Sequence, residues 1–211
     1  WECLVCWYLN LIFSGTNAVA MRQNSKVVPQ ILLDATAVNY GTIQTNTESD
    51  ICVVVYPGSF AFPKSKYTYI RALDEAARAT VGQIELGIVQ CKTNWADNAQ
   101  IPMLWDMVYR GNFKKGGLIH IGRNGVDISH LKKFTYSFAT VPTQKKPFKP
   151  TMLAVKRVCG LSGGNYWGMP ASAGVALPLS EIFTRNFSSA FKKPVPDSVA
   201  DAIAGKIGLF A

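Results

Sequence analysis

The spacing of hydrophobic and polar positions predicts a short series of elements. Residues 1–13, Trp-Glu-Cys-Leu-Val-Cys-Trp-Tyr-Leu-Asn-Leu-Ile-Phe, are apolar all round and predict a buried helix. Residues 26–33, Lys-Val-Val-Pro-Gln-Ile-Leu-Leu, predict a strand whose proline places it at an edge or a bend. Residues 40–49 form a polar loop, after which Asp50 opens the strand Ile-Cys-Val-Val-Val-Tyr, stopped by Pro57-Gly58. Residues 67–80 have helical composition with Leu73, Ala76 and Ala77 facing inward, and residues 83–92 are a second clear strand. Ile101, Leu104, Trp105 and Val108 fall at i, i+3, i+4 and i+7 and mark a helix in which Pro102 is tolerable only in the first turn. Residues 134–141 are a third strand, and 196–208 predict a short terminal helix. This order describes a single α/β domain over residues 1–211, with a mixed sheet of four to five strands flanked by helices.

The hydrophobic share of 48% in 211 residues excludes bulk disorder. Five cysteines, Cys3, Cys6, Cys52, Cys91 and Cys159, are odd in number and too sparse for a disulfide scaffold, so a reducing compartment is expected. His120 and His130 are too few for a histidine-based zinc site, and Cys3-x-x-Cys6 lacks a second pair. No apolar run reaches the ~18 residues of a membrane span. The chain starts at Trp1 rather than Met, which implies a missing native start. A signal peptide ending at Ala18-Val19-Ala20 fits poorly, because Glu2 stands where a basic region belongs.

Charge sharpens the picture. Residues 1–109 hold seven Lys/Arg against nine Asp/Glu, whereas residues 110–157 hold eleven Lys/Arg and the single acid Asp127. This basic block is interleaved with Tyr109, Phe113, Phe134, Tyr136, Phe138 and Phe148, which suggests a folded basic face for a polyanion. Lys132, Lys133, Lys145, Lys146, Lys149, Lys156 and Arg157 are the candidate phosphate contacts. The Gly-rich stretch Leu161-Ser-Gly-Gly-Asn-Tyr-Trp-Gly168 can bring Asn165 and Trp167 to a base edge, and Asn94 follows the second strand. A solvated surface and a plain hairpin are the corresponding structural readings.

Strand alternation sends Ile84, Leu86, Ile88, Gln90 and Lys92 to one face. Antiparallel pairing of 50–56 with 83–92 would bring Asp50 beside Gln90 and Lys92. An Asp carboxylate, an amide oxygen and the Cys91 carbonyl are hard ligands for a divalent ion, and Lys92 can orient the attacking water and offset charge on phosphorus. Read structurally, the same residues are a strand-entry aspartate and a snorkelling lysine.

Asp50 before a hydrophobic strand, followed by a strand ending in Gln90-Cys91-Lys92, resembles the PD-(D/E)xK nuclease superfamily in its Mrr-like variant, with Gln in place of the acid. The resemblance covers about residues 1–141. It implies a restriction-endonuclease-like core in the order αβββαβ, with Asp50, Gln90, Lys92 and the helical Glu2 as catalytic residues. Mg²⁺ or Mn²⁺ is then held by Asp50, Gln90, Glu2 and the Cys91 backbone carbonyl, and 110–211 forms a basic DNA-contacting extension. Ser49 stands where the family has Pro. The implied function is Mg²⁺-dependent cleavage of double-stranded DNA in the cytoplasm of a prokaryotic cell, with a homodimer implied by resemblance only. The alternatives are a repair or recombination nuclease of the same fold and a non-catalytic DNA-binding module.

Overall fold

The computed structural model describes residues 1–24, 26–45, 49–61, 65–95, 104, 105, 107–109, 111, 119–142, 149, 151–153, 156, 200 and 204. Its main sheet contains β1 (Ala18–Arg22), β4 (Ile51–Val55), β5 (Glu85–Trp95) and β7 (Lys133–Pro142), in the spatial order β1-β4-β5-β7. The first two pairings are antiparallel and β5 runs parallel to β7. A smaller sheet has the order β3-β2-β6, from β2 (Val38–Tyr40), β3 (Ile43–Thr45) and β6 (Ile119–Ile121).

Helix α1 (Glu2–Ile12) packs Val5, Leu9 and Ile12 against one face of the main sheet, on Ala18, Ala20, Ile51, Val53, Val55 and Val89. The opposite face carries α2 (Gln30–Thr36) and α3 (Lys66–Ala79), with Leu32, Leu73 and Ala77 on Cys52, Val54, Tyr56 and Leu86. Covered on both sides, β4 is buried at every position, which explains its unbroken apolar run. Leu73 and Ala77 of α3 face inward as expected, with Ala76 partly buried.

Three expectations fail. Residues 26–33 do not form a strand: Pro29 precedes α2, where a missing N–H costs nothing, and its carbonyl accepts from Leu32 and Leu33. The Gln30 N–H, which has no intrahelical acceptor at that helix start, is satisfied by Asp74 Oδ1 of α3 at 2.9 Å, a partner 44 residues away. The first strand is instead Ala18–Arg22, an edge strand whose outer side is held by a helix side chain. Asn10 of α1 donates through Nδ2 to Ala20 O at 2.8 Å and accepts the Ala20 N–H on Oδ1 at 2.9 Å. The expected loop 40–49 contains β3, paired with β2 around Gly41, whose positive φ of 58° suits glycine.

Of the helix expected around 101–108, residues 104, 105 and 107–109 are helical. Val108 and Tyr109 are buried, but Leu104 faces solvent at 59% exposure, so the inner stripe begins later than its apolar spacing predicted. Tyr109, Phe134 and Tyr136 also have a different role from the one their place in the basic block suggested. They pack on one another, with centroids 4.7 Å and 6.1 Å apart, inside a cluster with Val38 and Ile88. Ile101, Pro102 and most of 196–208 lie outside the described residues.

Candidate functional site

Asp50 sits where β4 begins, its register set from both sides. Its backbone carbonyl accepts the Gln23 N–H at 3.0 Å, and Ile51 pairs with Arg22 on one side and Val89 on the other. Its carboxylate Oδ2 accepts the backbone N–H of Cys91 at 2.6 Å. The antiparallel pairing therefore brings Asp50 to the Gln90-Cys91-Lys92 segment of β5.

Alternation along β5 divides that segment between the two faces of the sheet. Cys91 belongs with Val89 to the cluster beneath α1. Burial, followed by the nearby Asp50 and Glu2 carboxylates, pushes its thiol far above the usual range. Gln90, on the opposite face with Ile88, is wholly buried, and its Oε1 accepts the Tyr136 hydroxyl at 2.8 Å. Its Nε2 has no hydrogen-bond partner among the described residues. Lys92 is half-buried, and its side chain makes no ion pair or hydrogen bond among the described residues.

Glu2 and Cys3 of α1 line an open cleft of about 340 Å³ together with Trp1 and Cys91. Glu2 Oε2 is paired with Arg22 Nη2 at 2.7 Å, and Arg22 Nη1 lies 3.6 Å from Cys3 Sγ. The neighbouring Cys3 sulfur, and then the Glu2 hydrogen bond and charge, raise the Arg22 pKa. Arg22, at the end of the strand that sequence reading missed, thus joins the site beside Glu2. Its only sequence signal was a single cation ending a run of small apolar residues. Glu2 and Cys91 share the α1 side, whereas the Gln90 side chain lies on the other. Among the described residues, no group of three His, Cys, Asp or Glu side chains is arranged to hold a metal.

The expected phosphate contacts separate. Lys133, Lys149 and Lys156 are exposed. Lys132 is paired through Nζ with Glu85 Oε1 at 2.8 Å, where the carboxylate side chain is only 3% exposed, so its first role is to neutralise a buried acid. Lys145, Lys146, Arg157, Asn165 and Trp167 lie outside the described residues, as does the side chain of Asn94, whose backbone belongs to β5.

No protein-family model matches the chain, and no curated protein is significantly similar to it.

Proposed function

We propose that this chain is a Mg²⁺-dependent endodeoxyribonuclease with a restriction-endonuclease-like core, hydrolysing phosphodiester bonds of double-stranded DNA. The carrying observation is the 2.6 Å bond from the Cys91 N–H to the Asp50 carboxylate, which ties the acid at the strand entry to the Gln-Cys-Lys segment. The strand succession supports the same reading: α1 is followed by β1, β4 and β5, and then by β7 parallel to β5 with helical residues 107–109 between.

The donor set suits a hard divalent ion that keeps several of its waters. Asp50 supplies a carboxylate and Cys91 a backbone carbonyl. Gln90 would add a carboxamide oxygen, on the sheet face opposite Cys91 and Glu2, that already accepts the Tyr136 hydroxyl and can accept a second bond. Glu2, committed to Arg22 on the α1 side, is the weakest member of the set. Mg²⁺ or Mn²⁺, held by Asp50 and the Cys91 carbonyl, would supply a water of lowered pKa and positive charge near phosphorus. Lys92 brings a cation with no ion pair among the described residues, and its charge is worth most as negative charge accumulates on phosphorus. The basic segment supplies sequence-independent attraction to the duplex.

Two observations favour the non-catalytic module instead: the Gln90 oxygen already has a protein partner, and no acidic trio surrounds a metal position among the described residues. Supercoiled plasmid incubated with Mg²⁺, with and without EDTA, separates the two. Mg²⁺-dependent nicking or linearisation by the wild type, absent in Asp50→Ala, is the expected result. DNA retention without any cleavage would leave the binding module. Discrete fragments would distinguish a restriction enzyme from a structure-selective repair nuclease.

A further inference from the structure

We propose that Cys3 and Cys6 form a redox-active dithiol on α1, converted by a hydroperoxide into an intrahelical disulfide. Both sulfurs face β1. Cys3 Sγ lies 3.6 Å from Arg22 Nη1, and Cys6 Sγ lies 3.5 Å from Ala20 O, two positions back along the strand. Positions i and i+3 of a helix place their Cα atoms about 5 Å apart, inside the roughly 4.4–6.8 Å that a disulfide spans. The two thiols differ in the way a dithiol requires. Cys3 is exposed on the rim of the cleft beside the Arg22 guanidinium, where a hydroperoxide reaches it from solvent. Cys6 is half-buried with its Sγ against Ala20 O, which leaves Cys3 as the sulfur a hydroperoxide reaches first.

The chemistry closes with no other group. The Cys3 sulfur attacks one peroxide oxygen, the O–O bond breaks, and Cys3 becomes a sulfenic acid as the second oxygen leaves as water or alcohol. The Cys6 sulfur then attacks the Cys3 sulfur, the S–O bond breaks, and hydroxide leaves with the Cys6 proton as water. Two thiols are oxidised and one peroxide is reduced. Cys52 and Cys91 are buried, and burial pushes the Cys52 thiol up to about 12, so both serve as inert internal references. The proposal does not depend on nuclease activity.

The test uses the whole chain carrying Cys159→Ser, treated with hydrogen peroxide and then alkylated, with peptide mass spectrometry as the readout. The expected result is loss of two hydrogens and of both alkylation sites from the peptide holding Cys3 and Cys6, reversed by dithiothreitol. With Cys6→Ser added, dimedone should label Cys3. With Cys3→Ser added instead, Cys6 should remain alkylatable. Full alkylation of both thiols after peroxide would overturn the proposal, as would a disulfide joining Cys3 to Cys91. Dimedone labelling at Cys6 rather than Cys3 would overturn the assigned order of attack.

Discussion

The Asp50 carboxylate accepts the Cys91 N–H at 2.6 Å, joining the entry of one central strand to the far part of its neighbour. That bond gives the acid two separable properties, an acceptor and a charge. Asp50→Asn keeps an acceptor oxygen for Cys91 and loses the charge. Under the nuclease reading it should fold with an unchanged melting temperature, bind DNA at least as tightly as wild type, and lose Mg²⁺-dependent cleavage. A plasmid assay beside a binding titration checks this, and full cleavage by the variant would sink the metal role.

Lys92→Ala should lower the cleavage rate by several orders of magnitude while changing DNA affinity little, because its charge counts most in the transition state. Single-turnover kinetics at saturating protein separates rate from binding. A defect confined to binding would make Lys92 a phosphate contact.

Tyr136→Phe deletes the hydroxyl that satisfies the buried Gln90 oxygen and leaves that carboxamide without a partner among the described residues. The expected cost is about 1–3 kcal/mol. Urea unfolding should show a lower midpoint at unchanged m-value. A midpoint equal to wild type would show that the oxygen finds another donor.

Lys132→Ala should also act on stability first. Glu85 is nearly inaccessible to solvent and Lys132 Nζ donates to it, so removing that cation takes a charge-assisted hydrogen bond from a buried carboxylate, at about 1–3 kcal/mol. By contrast, replacing the exposed Lys133 or Lys156 should leave the melting temperature alone and, if each meets one phosphate, reduce the log–log salt slope of DNA binding by about one each. A slope that is unchanged would move the DNA surface elsewhere.

Acid sensitivity should centre on Asp34. Burial alone would raise its pKa, but hydrogen bonds from Asn124, Gln30 and Arg123, with the Arg123 charge, outweigh burial and hold it below the usual carboxylate range. A depressed folded pKa contributes stability above the unfolded value of ~3.9, and that stability disappears as pH falls through the folded value. Denaturant midpoints should therefore drop below about pH 4, and Asp34→Asn should flatten that acid limb while lowering stability at neutral pH. An acid limb as steep as wild type would assign the loss to other carboxylates, Asp127 first, since its pKa is also lowered, by Ser129 and His130 against the opposing effect of burial.

What local pattern could determine, it did. The all-apolar helix at the start, the unbroken apolar run after Asp50, the alternation of 83–92 and the strand at 134–141 are each marked by their own residues, and all four are present. The pairing that brings Asp50 to Gln90-Cys91-Lys92 was legible too, because one strand's apolar run ends where the other turns polar. The failures fall where the stabilising partner is remote. Ala18–Arg22 is too short and too small-sided to read as a strand, and it becomes one because Asn10 satisfies its open edge while β4 pairs with the other. Gln30–Thr36 is helical because Asp74, on another helix, accepts its first free N–H. The same limit divides the site. Residue types and spacing marked Asp50, Gln90, Lys92 and Glu2, but only the folded sheet decided that Gln90 turns inward to Tyr136 and that Glu2 meets Arg22. Those partners lie 46 and 20 residues away, and a hydrogen bond between distant positions leaves no periodicity in the chain.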